Sequence, residues 1–179
     1  MSSMLIRNVG QFWRRDEVFW GRQRNPGKLL GVPSKERKSD EVDFWDQRGI
    51  YILYADYHLV YVGQTGDQGL GKRLRQHSRG DLAGRWNMFS WFGIRYVKND
   101  GLLSEMPEVK NLGIESILDH VEAVLIGAAE PPMNSQGGRF GEQVERYSQV
   151  RDPRLPPEDV SEVLKEIQSR LKNIEEHIA

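Results

Sequence analysis

There is no cysteine among the 179 residues, so disulfide crosslinks, thiol nucleophiles and thiolate metal centres are excluded. No run of about 18 apolar residues occurs, which leaves no candidate for a membrane-spanning helix. The opening Met1-Ser2-Ser3-Met4-Leu5-Ile6-Arg7 lacks the apolar core of a secretion signal, and the cytoplasm is the expected compartment. Net charge is also scarce. At −1 it argues against bulk affinity for polyanions. Its distribution is uneven: residues 1–40 carry nine Lys/Arg against four Asp/Glu, and residues 101–150 carry three against eight. A phosphate-facing surface would therefore come from the front of the chain, although ordinary solvated surface gives the same asymmetry.

What is present is the composition of a globular domain, with 38 % hydrophobic and 28 % charged residues, in a chain long enough to bury a core. Three regions are expected. Residues 1–48 form a basic, aromatic N-terminal extension. Residues 49–141 form the core, and 142–179 a C-terminal amphipathic region. In the extension, Phe12-Trp13 and Phe19-Trp20 flank Arg14-Arg15-Asp16-Glu17. Periodicity leaves two readings open, a turn between two short strands or the exposed face of a helix. The arginines and aromatics of residues 12–24 could hold phosphates and stack on bases, or pack as a structural layer.

The core is clearer. Ile50–Tyr54 and Leu59–Val62 are β-branched and aromatic runs around Ala55-Asp56-Tyr57-His58, the pattern of a β-hairpin. A glycine-rich loop from Gly63 to Gly69 leads to a helix over Leu70–Ser78. Phe89–Val97 alternates as a third strand, with Trp86, Phe89, Trp91 and Phe92 read as core. Gly113 to Ala129 reads as a helix with Ile117, Val121, Val124, Leu125 and Ala128 on one face. In the last region Val160, Leu164, Ile167, Leu171, Ile174 and Ile178 follow a heptad stripe, which would pack within the chain or pair two copies as a homodimer.

Gly49-Ile50-Tyr51, Tyr61-Val62-Gly63, then Arg73 and His77 four residues apart, then Glu122 and Asn134 follow one another in the core. In this order they resemble the GIY-YIG nuclease superfamily, over roughly Arg48 to Phe140. The resemblance implies an α/β (α+β) fold, a small three-stranded antiparallel sheet flanked by helices, with a phosphodiester-cleaving site on one sheet face. It implies Tyr51 as general base, Glu122 as ligand to one Mg²⁺ or Mn²⁺ ion, and Asn134 as a brace. The residue chemistry suits these roles. A phenol with a pKa near 10 needs nearby cations to serve at neutral pH, and Lys72, Arg73 and His77 are the local candidates. The forked guanidinium of Arg73 matches a phosphate oxygen pair. His77, one turn along the helix, can take or relay a proton from Tyr51. Gly63, Gln64, Lys72, Arg75 and Asn134 are the expected substrate contacts, with Tyr61 completing the catalytic set. Glu130, at the helix end, is a weaker rival to Glu122 for the metal. Each residue alone reads as packing or solvated surface; only the joint pattern carries the chemistry.

The expected activity is a metal-dependent nuclease on DNA rather than RNA, compact and restriction-like or defensive. The alternative is a catalytically silent nucleic-acid-binding module or a subunit of a larger nuclease complex. No membrane association is expected.

Overall fold

The computed structural model describes residues 5–35, 40–107, 113–129 and 144–156. Seven strands form one mixed sheet. They are β1 (Asn8–Arg14), β2 (Leu30–Pro33), β3 (Val42–Asp43), β4 (Gly49–Ala55), β5 (His58–Gln64), β6 (Met88–Gly93) and β7 (Glu145–Gln149), in the order β3-β2-β7-β1-β6-β4-β5. The β1–β7 pair is parallel and the other five pairs are antiparallel. Two α-helices complete the described chain, α1 (Leu70–His77) and α2 (Ile114–Ala129).

This corrects the expected small three-stranded sheet flanked by helices. The hairpin β4–β5 and the strand β6 form only one end of the sheet. The segment read as an extension supplies β1, β2 and β3, and residues beyond the core supply β7. The physical reason is burial. Left at the edge, β6 would expose Phe89, Trp91 and Phe92, all fully or almost fully buried here. β1 covers that edge in the register Val9↔Phe92 and Gly10↔Trp91. Sheet edges lined with large apolar residues are stable only when paired or covered. The heptad stripe from Val160 to Ile178 lies outside the described residues.

The hairpin is tight. Asp56 and Tyr57 both take positive φ, 47° and 69°, which is the two-residue turn whose twist matches the flanking strands. Buried on both faces over Tyr51–Tyr54, β4 carries a continuous apolar run. Tyr51 and Leu53 enter one core with Trp13, Phe44, Leu70, Leu74, Trp86, Phe89 and Trp91. Ile52 and Tyr54 enter a second core, on the other face, with Val9, Met88, Phe92, Ala123 and Ala128. A bulge in β1 between Gly10 and Trp13 turns Trp13 into the first core. Its indole Nε1 donates to Tyr147 O at 3.2 Å, tying β1 to β7 across 134 residues.

The two helices therefore lie on opposite faces. α1 packs on the first core through Leu70 and Leu74. α2 packs on the second through Ala123 and Ala128, with Tyr54 Oη donating to Ala128 O at 2.9 Å and Gln11 Nε2 to Gly127 O at 3.1 Å. The face of α2 that meets the sheet is the small-residue one, which lets the helix sit close to Phe92. Val121 and Leu125, expected to face inward, are 51 % and 62 % exposed. Among the described residues no helix is long and apolar enough to cross a membrane.

Candidate active site

α1 is set against the sheet by main-chain contacts. Leu70 N donates to Gln47 O and Gly71 N to Trp45 O, both at 2.8 Å. Gly71 lies against the Trp45 indole so closely that a Cβ would fall 2.1 Å from the ring. Gly71→Ala is expected to push α1 off the sheet and lower stability by about 2 kcal/mol, in the range of overpacking. A chemical denaturation curve reads this directly, and an unchanged midpoint would contradict the packing.

From this platform α1 presents its C-terminal turn to β4. Tyr51 Oη and His77 Nε2 are 2.7 Å apart. The Tyr61 ring stacks with that of Tyr51 at 6.2 Å between centroids and 29° between planes, and lies 4.8 Å from the His77 ring. Across the hairpin Tyr51 pairs with Gly63 and Leu53 with Tyr61, so the two tyrosines are diagonal neighbours on one face. Gly63 is needed here for space. A Cβ at this position would stand 2.4 Å from Tyr51 Oη, so the phenol head occupies the volume of the missing side chain.

Arg73 lies beside Tyr51 and is itself held. Its Nη1 donates to Gln76 Oε1 at 2.9 Å, and Gln76 Nε2 donates to Gln68 Oε1 at 2.6 Å. His77 is steadied through its main chain. Trp86 Nε1 donates to His77 O at 3.3 Å, and Arg15 donates to Trp86 O at 3.2 Å and to Ser78 O at 3.4 Å. The Arg15 guanidinium also sits over the Trp86 ring, 4.9 Å from its centroid. Gln68, Gln76, Arg15 and Trp86 are supports that sequence reading missed. Gln76 was findable, since it lies three residues from Arg73 on one helix. Arg15 was not, because nothing local links residue 15 to residues 78 and 86.

The electrostatics set protonation. Burial pushes the Tyr51 hydroxyl above its ordinary value of 10.0, with the Arg73 charge opposing in part. Burial first, and then Arg73, hold His77 below its ordinary 6.5. At neutral pH Tyr51 is thus a phenol and His77 a neutral imidazole, and in the tautomer with its proton on Nδ1 the His77 Nε2 accepts from Tyr51 Oη. The expectation that nearby cations lower the Tyr51 pKa is not met in the free protein, where desolvation dominates.

Of the other expected contacts, Lys72 and Gln64 are exposed near the cluster and Arg75 is half-buried, its Nε without a hydrogen-bond partner among the described residues. Glu122 is exposed on α2, the helix of the opposite sheet face. Asn134 and Glu130 lie outside the described residues. Among the described residues no group of three His, Asp or Glu side chains comes together as a metal site. Among the described residues Tyr51, Tyr61, Arg73 and His77 converge, and Glu122 lies on the helix of the opposite sheet face. Comparison with family models, curated proteins and solved structures finds no match.

Proposed function

We propose that the chain is a nuclease that cleaves DNA phosphodiesters at the Tyr51–Tyr61–Arg73–His77 cluster. The observation that carries this reading is the 2.7 Å contact between Tyr51 Oη and His77 Nε2 with Arg73 alongside. It makes a relay able to take a proton, next to a cation suited to phosphate. A water placed against Tyr51 gives its proton to the phenol oxygen as the phenol proton moves to His77 Nε2. The water oxygen attacks phosphorus and the bond to the leaving oxygen breaks. The leaving oxygen takes a proton from solvent, and His77, left as imidazolium, returns one to solvent. Arg73 neutralises charge gathering on the non-bridging oxygens. No step is routed through a metal ion.

Supercoiled plasmid is the test substrate, offered with Mg²⁺ or Mn²⁺ and with chelator, beside Tyr51→Phe and Glu122→Ala. Nicking lost in Tyr51→Phe supports the reading, and nicking that persists there sinks it. Loss in Glu122→Ala together with metal dependence would show that Glu122 takes part despite its distance from the cluster. A second reading, a silent nucleic-acid-binding module, is favoured by that same separation of Glu122. It requires duplex binding without cleavage under every ion condition.

The protonation states give a pH prediction. Only neutral His77 can accept the phenol proton, so the rate rises with pH through a single inflection below 6.5 and is then flat through neutrality. A pH profile of kcat/KM with its inflection at or above 7 would contradict this assignment.

A further inference from the structure

Residues 18–28 contain Arg22, Arg24 and Lys28 and no carboxylate. Within this segment residues 22–26 form an exposed turn. Arg22 N donates to Asn25 O at 3.0 Å, Asn25 N returns a bond to Arg22 O at 2.9 Å, and Gln23 takes a φ of 47°. Arg22 and Arg24 are exposed and have no side-chain partner among the described residues. Two solvated cations on a loose loop would mean little. This turn, however, is anchored at both ends. Arg154 Nη1 donates to Pro26 O at 3.1 Å, and the Arg154 guanidinium lies 4.0 Å from the Phe19 ring centroid. Gly27 lies against the Trp45 indole, where a Cβ would fall 2.2 Å from the ring.

Trp45 is also the ring against which Gly71 of α1 rests, so one indole separates the turn from the helix bearing Arg73 and His77. On the turn's other flank Trp20 packs edge-on against Trp86 at 6.0 Å, and Trp86 holds His77 O. The turn and the candidate site are thus fixed to one aromatic scaffold. The chain between them adds charge of the same sign. Residues 70–86 carry Lys72, Arg73, Arg75, Arg79 and Arg85 against Asp81 alone, and Lys72, Arg79 and Arg85 are exposed. Among the described residues, Arg22, Arg24, Lys72, Arg79 and Arg85 thus set positive charge around one aromatic scaffold in a protein of net charge −1.

We propose that Arg22 and Arg24, continued by Lys72, Arg79 and Arg85, form a backbone-binding track for a nucleic-acid duplex, and that this track delivers the duplex to the Tyr51–His77 site. The proposal rests on the nuclease reading of that site. The aromatics of this region are structural: Trp13 and Trp86 are buried, and Trp20 and Trp45 pack on the core. Contact is therefore through phosphates rather than stacked bases, and it is independent of sequence.

The test is fluorescence anisotropy with a short labelled DNA duplex, in a Tyr51→Phe background that does not cleave, over a series of salt concentrations. Arg22→Ala/Arg24→Ala should raise Kd about 10-fold near 0.1 M salt, equally for unrelated sequences. It should also flatten the slope of log K against log salt by about 2, one phosphate contact per arginine. Arg22→Lys/Arg24→Lys should restore most of the slope. An unchanged slope in the alanine variant overturns the track, as does tighter binding of a single strand than of the duplex. Plasmid nicking by the same arginine variants, with Tyr51 intact, separates the two ideas. Wild-type nicking at all salts together with an unchanged slope removes the track and leaves the nuclease. A lowered slope with no nicking even by wild type removes the nuclease and leaves the track.

Discussion

Tyr51→Phe is expected to lower the rate of plasmid nicking by about 10²- to 10⁴-fold, the usual worth of a positioned acid–base group, with little change in thermal midpoint. The ring stays buried against Gly63 and Tyr61, so packing survives and only the hydroxyl is lost. His77 Nε2 then has no proton donor at 2.7 Å and the path from water to imidazole is broken. His77→Ala should cost a similar factor, and the double variant little more than either single one, because both remove the same relay. Fully additive losses would mean that the two residues act separately and that their contact is only structural. Gln76→Ala should have a smaller effect, confined to substrate affinity, since it frees Arg73 without removing its charge.

The largest effect on stability should come from Trp13→Ala, about 3–5 kcal/mol, enough to lower the thermal midpoint of a chain this size by roughly 10 °C. Trp13 is 2 % exposed and meets Phe44, Phe89 and Trp91 edge-on, at centroid distances of 6.0, 6.0 and 5.3 Å. It also holds β7 through its indole N–H. Because β1 lies in the middle of the sheet, unfolding should remain a single transition. A small early transition, with most of the signal lost at the original temperature, would mean that residues 1–48 are an appendage after all.

The two variants probe parts of the molecule that differ in legibility. The sequence by itself determined the hairpin, the helix after the glycine loop, and the four-residue spacing that sets Arg73 and His77 on one helical turn. Each depends on neighbours in the chain, through turn chemistry, alternation and the 3.6-residue period. The closeness of Tyr51 and Tyr61 across the hairpin, as diagonal neighbours, was legible for the same reason. The architecture was not, because the sheet is closed by contacts with no local signature. β7 enters parallel to β1 from more than 130 residues away, and β2 and β3 join beyond it. Short strands such as Val42–Asp43 are made by their partners rather than by propensity. Tertiary structure also decided which face of α2 is buried, since close approach to Phe92 favours alanine and glycine over the larger aliphatics. That choice sets Glu122 away from the cluster. It decided protonation as well: residue types gave cations near a phenol, but the balance between Arg73 and desolvation is fixed only once Tyr51 is buried over Gly63.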